Sequence, residues 1–337
     1  MKQLLKLSAA SLLVVGALSV QASTLGDVQA KGYVSCGVSK GLAGFSSADS
    51  SGTWTGVDVD VCRAVAAATL GDAQKVKFVP LTAKERFTAL QSGEIDMLSR
   101  NTTWTITRDA SLGLNFAGVN YYDGQGFMVK SSLGVSSAME LSGAAVCIQA
   151  GTTTELNLAD WGKANGIEYN SVVSDTNAQT LTNYDAGRCD VLTTDASGLY
   201  SMRAAASDPS EHVVLPEIIS KEPLGPAVRH GDSEWADIVR WSLNAMIIGE
   251  ELGITSGNVD EMMSSNNPEV LRLLGAEPGY GAMLGLSDDW AANILSQVGN
   301  YSESFEKHIG PNTPINIQRG LNALYKDGGI LYAPPFR

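Results

Sequence analysis

Residues 92–103 read SGEIDMLSRNTT, and residues 186–197 read AGRCDVLTTDAS. Both run small residue, glycine, two residues, aspartate, one residue, leucine, and both then pass into a polar cluster. The glycine suits the left-handed residue that ends a helix, and the short apolar run after it suits a buried strand. In an open α/β sheet, ligands bind at the carboxyl ends of the strands, which is where each cluster falls. The echo predicts two similar lobes, each presenting polar groups to a common cleft.

The neighbouring segments repeat as well. In the first half, YVSCGVS reads as a strand, VDVDVCRAVAAATL as a helix, KVKFVPL as a strand, TAKERFTALQSG as a helix and IDMLS as a strand. In the second, AAVCIQA, EYNSVV and CDVLTTD read as strands, separated by helices over GTTTELNLADWGKANG and TNAQTLTNYDAG. Thr82 with Glu85, Thr152 with Glu155 and Thr176 with Gln179 have the spacing of capping boxes. Strands alternating with helices predict an α/β protein with mainly parallel sheets.

Two lobes in one chain need crossings. YYDGQGFMVK and LPEIISKEPLGPAV carry the Gly and Pro of segments that bend. This gives lobe 1 over 23–126, lobe 2 over 127–226, a return to lobe 1 over 227–249 with a helix from Asp232 to Met246, and a C-terminal extension over 250–337. The extension shows one helical run around NVDEMMSS and another through DDWAANILSQVGNYSESFEKH, whose apolar spacing predicts packing on lobe 1 or on a membrane partner.

The chain of 337 residues opens MKQLLKLSAASLLVVGALSVQAS, a basic start, a short apolar run and a small-residue site after Ala22, which predicts a secretory leader over residues 1–22. The remaining length, about 315 residues, exceeds what one hydrophobic core usually supports. No later stretch has the roughly 20 apolar residues of a membrane span. The formal charge of −13 disfavours nucleic acid and anionic lipid as partners, and losing Lys2 and Lys6 with the leader makes it more negative.

Four cysteines, Cys36, Cys62, Cys147 and Cys189, allow three pairings in an oxidising compartment. Cys36 with Cys62 and Cys147 with Cys189 is preferred, because each bridge then stays inside one lobe. No Cys-x-x-Cys is present and the histidines are His212, His230 and His308, so neither zinc nor any other metal or cofactor is expected.

Hydrolase, metalloprotease, P-loop and dinucleotide fingerprints are all missing. What remains is a charge constellation. Arg108 offers a planar fork for a carboxylate, beside Asn101, Thr102 and Thr103. The helix start at Thr152 and Thr153 offers backbone N–H groups to an anion, and Asp195 can accept from an ammonium. A carboxylate receptor in one lobe with an ammonium receptor in the other fits an α-amino acid.

YVSCGVSKGLAGFS, WTGVDVDVCRAVAAA, RFTALQSGEIDMLSRNTTWTITRD, QAGTTTELN and CDVLTTDASGL resemble the polar amino acid family of bacterial periplasmic solute-binding proteins. With SSNNPEVLRLLG, LGLSDDWAANILSQVGNYSESFEKHIG and RGLNALYKDGGILYAPPFR they are similar to its general L-amino-acid-binding branch. The resemblance implies a type II two-lobed fold, periplasmic location, no enzymatic activity, and delivery of a free L-amino acid to an inner-membrane ABC permease by a monomer. It also implies roles: Arg108, Thr103 and Thr153 for the ligand α-carboxylate, Asp195 for the α-ammonium, and Asn101 as a further polar position. Leu42 stands where the family often has an aromatic over the ligand, so Phe45, Trp54 or Trp104 is expected to supply that surface. Arg86 and Arg100 are candidates for an acidic ligand side chain. The competing readings are an exported enzyme, with Glu303 or Glu306 acting on a glycan, and a protein that presents its ligand to a sensor.

Overall fold

The structure, a computed structural model, describes residues 23–337. The leader expected over residues 1–22 lies outside them. Lobe 1 begins with α1 (Thr24–Lys31), β1 (Val34–Ser39), α2 (Val57–Leu70), β2 (Val76–Leu81), α3 (Arg86–Ser92), β3 (Met97–Leu98) and β4 (Leu114–Phe116). β5 (Tyr121–Asp123) crosses to lobe 2, which holds β6 (Gln125–Lys130), β7 (Ala145–Gln149), α4 (Thr153–Asn165), β8 (Asn170–Ser174), α5 (Asn177–Asp185), β9 (Val191–Asp195), α6 (Ala196–Ala205) and β10 (His212–Val214). β11 (Glu222–Leu224) crosses back, and β12 (Ala227–Arg229) leads into α7 (Ser233–Glu251).

The echo in sequence is an echo in topology. The first sheet has the order β2-β1-β3-β12-β4 and the second β8-β7-β9-β6-β10. Each has three parallel strands, so the expected parallel character holds at its centre, but each ends in two strands whose pairings are antiparallel. The antiparallel member beside the parallel trio, β12 or β6, is the one that has just crossed from the other lobe. The crossings pair with each other, Asp123 opposite Glu222 and Tyr121 opposite Leu224. Each disulfide stays within one lobe, Cys36 with Cys62 and Cys147 with Cys189.

α2 illustrates how local sequence positions the rest. It begins at Gly56, whose φ of 134° and whose backbone lies so close to the Phe45 carbonyl that a Cβ would collide at 2.1 Å. Asp58 and Asp60 then lie in its first turn, two residues apart and so on opposite sides of the helix. Asp58 faces the loop after β3, accepting from the Asn101 amide (2.7 Å), the Asn120 side chain (2.9 Å) and Ser99 (3.3 Å). Asp60 faces the extension, meeting His308 and Ser304 at 2.8 Å each.

The extension forms α8 (Val259–Met262), α9 (Pro268–Leu273), α10 (Trp290–Gln297) and α11 (Tyr301–His308). The single run read through residues 288–308 is therefore two helices. Gly299 takes a φ of 95°, and Asn300 with Glu303 makes a reciprocal capping box that starts the second helix. Glu303, a catalytic candidate in sequence, is thus a capping residue. Trp290, Ile294 and Leu295 bury against α2 and α7 in one continuous core, with Phe305 following from α11.

Candidate ligand-binding site

Two sets of charged side chains converge between the lobes without neutralising one another. The basic set comes from lobe 1. Arg108 sits in a π-helical turn, Thr107–Ser111, and is 7% exposed. One of its nitrogens donates to the Thr103 carbonyl at 2.8 Å. Its guanidinium lies 5.1 Å from the Phe87 ring centroid, and that of Arg86 lies 4.7 Å from the same ring. Arg86 and Arg100 are each 2% exposed, so both are interior groups rather than the surface partners expected of long cations. Arg86 reaches Thr102 at 3.4 Å, and its Nε is buried with no hydrogen-bond partner. Arg100 reaches the Leu81 carbonyl at 3.1 Å.

Among the described residues, no carboxylate lies within ion-pair distance of any of these three arginines. Burial therefore lowers their affinity for a proton. It holds Arg86 well below its ordinary value, helped by repulsion from Arg108 and Arg100, and brings Arg100 to about 10. Arg108 is also lowered by burial, with Glu222 and Asp195 pulling it back up.

The acidic set comes from lobe 2 and the crossings. Asp195 ends β9, is 6% exposed, and its carboxylate accepts no hydrogen bond from any described residue. Burial, then the charges of Asp123 and Glu222, push it well above the usual carboxylate range. Glu222, on β11, was read in sequence only as part of a connector. Its carboxylate receives Thr103 Oγ1 at 2.6 Å, Thr153 Oγ1 at 3.0 Å, Asn157 Nδ2 at 2.6 Å and Ser220 Oγ at 2.8 Å. It thereby joins the ligand loop of lobe 1 to the start of α4 in lobe 2. Asp123, on β5, takes the Ser197 hydroxyl and the Gly124 amide.

The predicted residues fall as follows. Thr153 opens α4, and its N–H belongs to the first turn, which has no intrahelical acceptor. The expected Thr152–Glu155 capping box does not form: Thr152 donates to the Gln149 carbonyl at 2.7 Å, and Glu155 accepts from Gly151. The reason is Gly151, whose φ of 75° turns its own amide toward Glu155. Gln179 likewise reaches the Asp175 amide, one residue before its expected partner Thr176, although Thr176 does cap α5. Thr82 and Glu85 do exchange the two bonds of a capping box.

Thr103 lies beside Arg108 and Thr153, with its hydroxyl engaged by Glu222. Asn101 holds a left-handed φ of 34°, which asparagine tolerates, and its side chain turns to Arg100 at 3.5 Å. Leu42 is buried and lines a cavity of about 220 Å³ with Asn177, Ala178 and Leu181 of lobe 2. Phe45 is core, packed edge-on to Tyr121 at 5.4 Å. Trp104 stacks on Phe116 at 5.5 Å and stays 40% exposed, while Trp54 pairs with Phe78, over which Arg63 lies.

The family model described as bacterial extracellular solute-binding proteins, family 3, matches residues 34–254. The chain is 61% identical over 330 residues, 97% of each protein, to the general L-amino acid-binding periplasmic protein AapJ of Rhizobium johnstonii. It is 56% identical over 326 residues, 96% of each, to the glutamate/glutamine/aspartate/asparagine-binding protein BztA of Rhodobacter capsulatus. Among solved structures, an ABC transporter periplasmic binding protein from Brucella ovis with glutathione bound superposes with a TM-score of 0.92 at 58% identity, covering 94% of this chain and all of that one.

Proposed function

This chain belongs to family 3 of the bacterial extracellular solute-binding proteins, and from that premise we propose that it binds free L-amino acids in the periplasm and delivers them to an ABC permease. The close relatives are transport proteins, not enzymes, and this chain is a binding protein of the same kind. The observation that carries the ligand assignment is the pair of buried sets without ion-pair partners, Arg108 with its neighbours on one lobe and the carboxyl of Asp195 with its neighbours on the other. A zwitterion supplies the missing partner to each.

In this reading the ligand carboxylate takes the free N–H groups of Arg108 and the first-turn amide at Thr153, and the ammonium meets Asp195. Arg86, with its unsatisfied Nε, and Arg100 form a basic wall suited to acidic as well as neutral side chains. Leu42, in the loop after β1 of lobe 1, faces Asn177, Ala178 and Leu181 of lobe 2 across a cavity beside the charged sets. Lobe 1 runs up to the β5 crossing and resumes with β12 and α7, lobe 2 lies between the two crossings, and the extension packs on lobe 1. Ligand favours the closed lobes because only there do both charges find partners. Export follows cleavage near Ala22, the protein works as a monomer, and the permease is its membrane partner. Among the described residues no helix is long and apolar enough to cross a membrane.

The test is a thermal-shift and calorimetric screen of the twenty amino acids beside their N-acetyl and carboxamide derivatives. Free amino acids should stabilise the protein, and both derivatives should fail, because each lacks one charge. An N-acetyl amino acid that binds as tightly as its parent would remove Asp195 from the ammonium role.

A further inference from the structure

Asp195 occupies the N-cap position of α6, where an aspartate ordinarily folds back to accept an N–H from the first turn. Here it accepts none. The acceptor comes instead from Asp123 on the crossing strand: one oxygen faces the Ser197 amide at 3.4 Å, and the other binds the Ser197 hydroxyl. The same join is fastened by the Ala196 amide donating to the Gly124 carbonyl at 2.8 Å. Asp123 thus caps α6 from outside and leaves Asp195 free to face the cleft. It also places a second buried carboxyl against the start of the helix that Asp195 begins, and among the described residues neither has a cation at ion-pair distance.

Two neighbouring buried carboxylates do not both ionise readily. We propose that Asp123 is a positioning residue that keeps Asp195 protonated in the empty site, so that capture of the ligand ammonium ionises Asp195 and releases one proton to solvent. The proposal rests on Asp195 as the ammonium receptor. The step is a proton transfer alone: the Asp195 O–H bond breaks, the proton passes to water or buffer, and the carboxylate left behind pairs with the ammonium.

The other groups facing this pair are Tyr121 on the same crossing, Glu222 on the opposite one, and Arg86, Arg100 and Arg108 across the cleft. Tyr121 is moved further up by burial, and Arg100 titrates only at about 10. Asp123 itself is raised by burial to about 6, against the pull of Ser197. Below the free-site value of Asp195 a proton competes with the ligand, and above it the competition disappears. Affinity should therefore rise with pH until Asp195 is ionised in the free site.

The experiment is calorimetry of L-glutamine binding at pH 6 in phosphate and in bis-tris, which differ in ionisation heat. It is repeated with Asp123→Asn, which keeps a capping acceptor and removes the charge. The wild-type heat should depend on buffer, showing net proton release on binding, and the dissociation constant should weaken as pH falls from 6 to 5. In Asp123→Asn the release should shrink and the dependence of affinity on pH should flatten. Equal wild-type heats in the two buffers would overturn the proposal, as would undiminished proton release in the variant. Absence of any amino-acid heat at any pH would instead overturn the functional reading beneath it. Should the variant not fold, the carboxyl carbon-13 shift of Asp195 in free wild-type protein decides: a midpoint near 4, the ordinary aspartate value, overturns the proposal.

Discussion

Arg108 is nine-tenths buried and meets no carboxylate, an arrangement that costs stability unless a ligand completes it. One nitrogen is fixed by the Thr103 carbonyl and the flat face of the guanidinium lies against Phe87, so the remaining N–H groups are aimed before the ligand arrives. Replacement by lysine keeps the charge and loses both the fork and the stacking surface. Arg108→Ala should weaken amino-acid binding by about 2–5 kcal/mol while leaving the melting temperature near or above that of the free wild type. Titration calorimetry with a parallel thermal melt checks both, and near-normal affinity would remove Arg108 from the site. Of the site candidates read from sequence, Thr153 and Asp195 stand at the ends of regular elements, where a short pattern shows both the element and the exposed chemistry, while Arg108 lies in a π-helical turn beyond β3. Asp123 and Glu222 stand in crossings whose glycines and prolines signal only a bend, and their roles arise from pairing residues ninety-nine positions apart in the chain. Burial of Arg86 and Arg100 was equally hidden, since periodicity gives the face of a helix and not what later folds over it.

At the scale of elements, the first turn of α2 links two regions far apart in sequence. Asp60 meets His308 and Ser304 of α11 while Asp58 secures the ligand loop. Burial opposes ionisation of Asp60, but bonds from His308 and Ser304 with the nearby Lys307 charge outweigh it, leaving the carboxyl below its ordinary 3.8. A carboxyl depressed by folding contributes stability that is present above its unfolded value and lost as pH falls through its folded value. The melting temperature should therefore drop more steeply below about pH 4 in the wild type than in Asp60→Asn, whose loss relative to wild type should be largest near neutrality. Parallel slopes in the two proteins would exclude Asp60 as an acid-sensitive tie. Most regular elements of both lobes were legible because strand and helix periods alternate cleanly and glycines punctuate them. The division of residues 288–308 was not, because apolar residues recur at helical spacing on both sides of Gly299. Only the backbone reversal at that glycine shows that the axis turns.

For the molecule as a whole, the extension reaches the crossings as well as lobe 1. Asn322 is 3% exposed and brackets Tyr122 of β5, accepting from its amide at 2.7 Å and donating to its carbonyl at 3.0 Å. Tyr301 donates to the Asn120 carbonyl at 2.7 Å, and Asn120 in turn binds Asp58. One edge of the crossing strand is thus occupied by β11 and the other by a side chain of the extension. Asn322→Ala would leave a strand amide and carbonyl unpaired, a loss of roughly 1–3 kcal/mol. Hydrogen exchange at Tyr122 should quicken about tenfold or more, as each 1.4 kcal/mol corresponds to one decade, while the core of lobe 2 keeps its protection. Unchanged exchange at Tyr122 would show that the bracket does not brace the crossing. Phe336 packs with Trp241 of α7 and with Tyr280 and Trp290, so this end of the extension is rooted on lobe 1 rather than at the cleft. A sample tethered to a sensor chip by that end would hold one half of the molecule still and leave the other free to swing, so the surface itself would register each ligand as a movement.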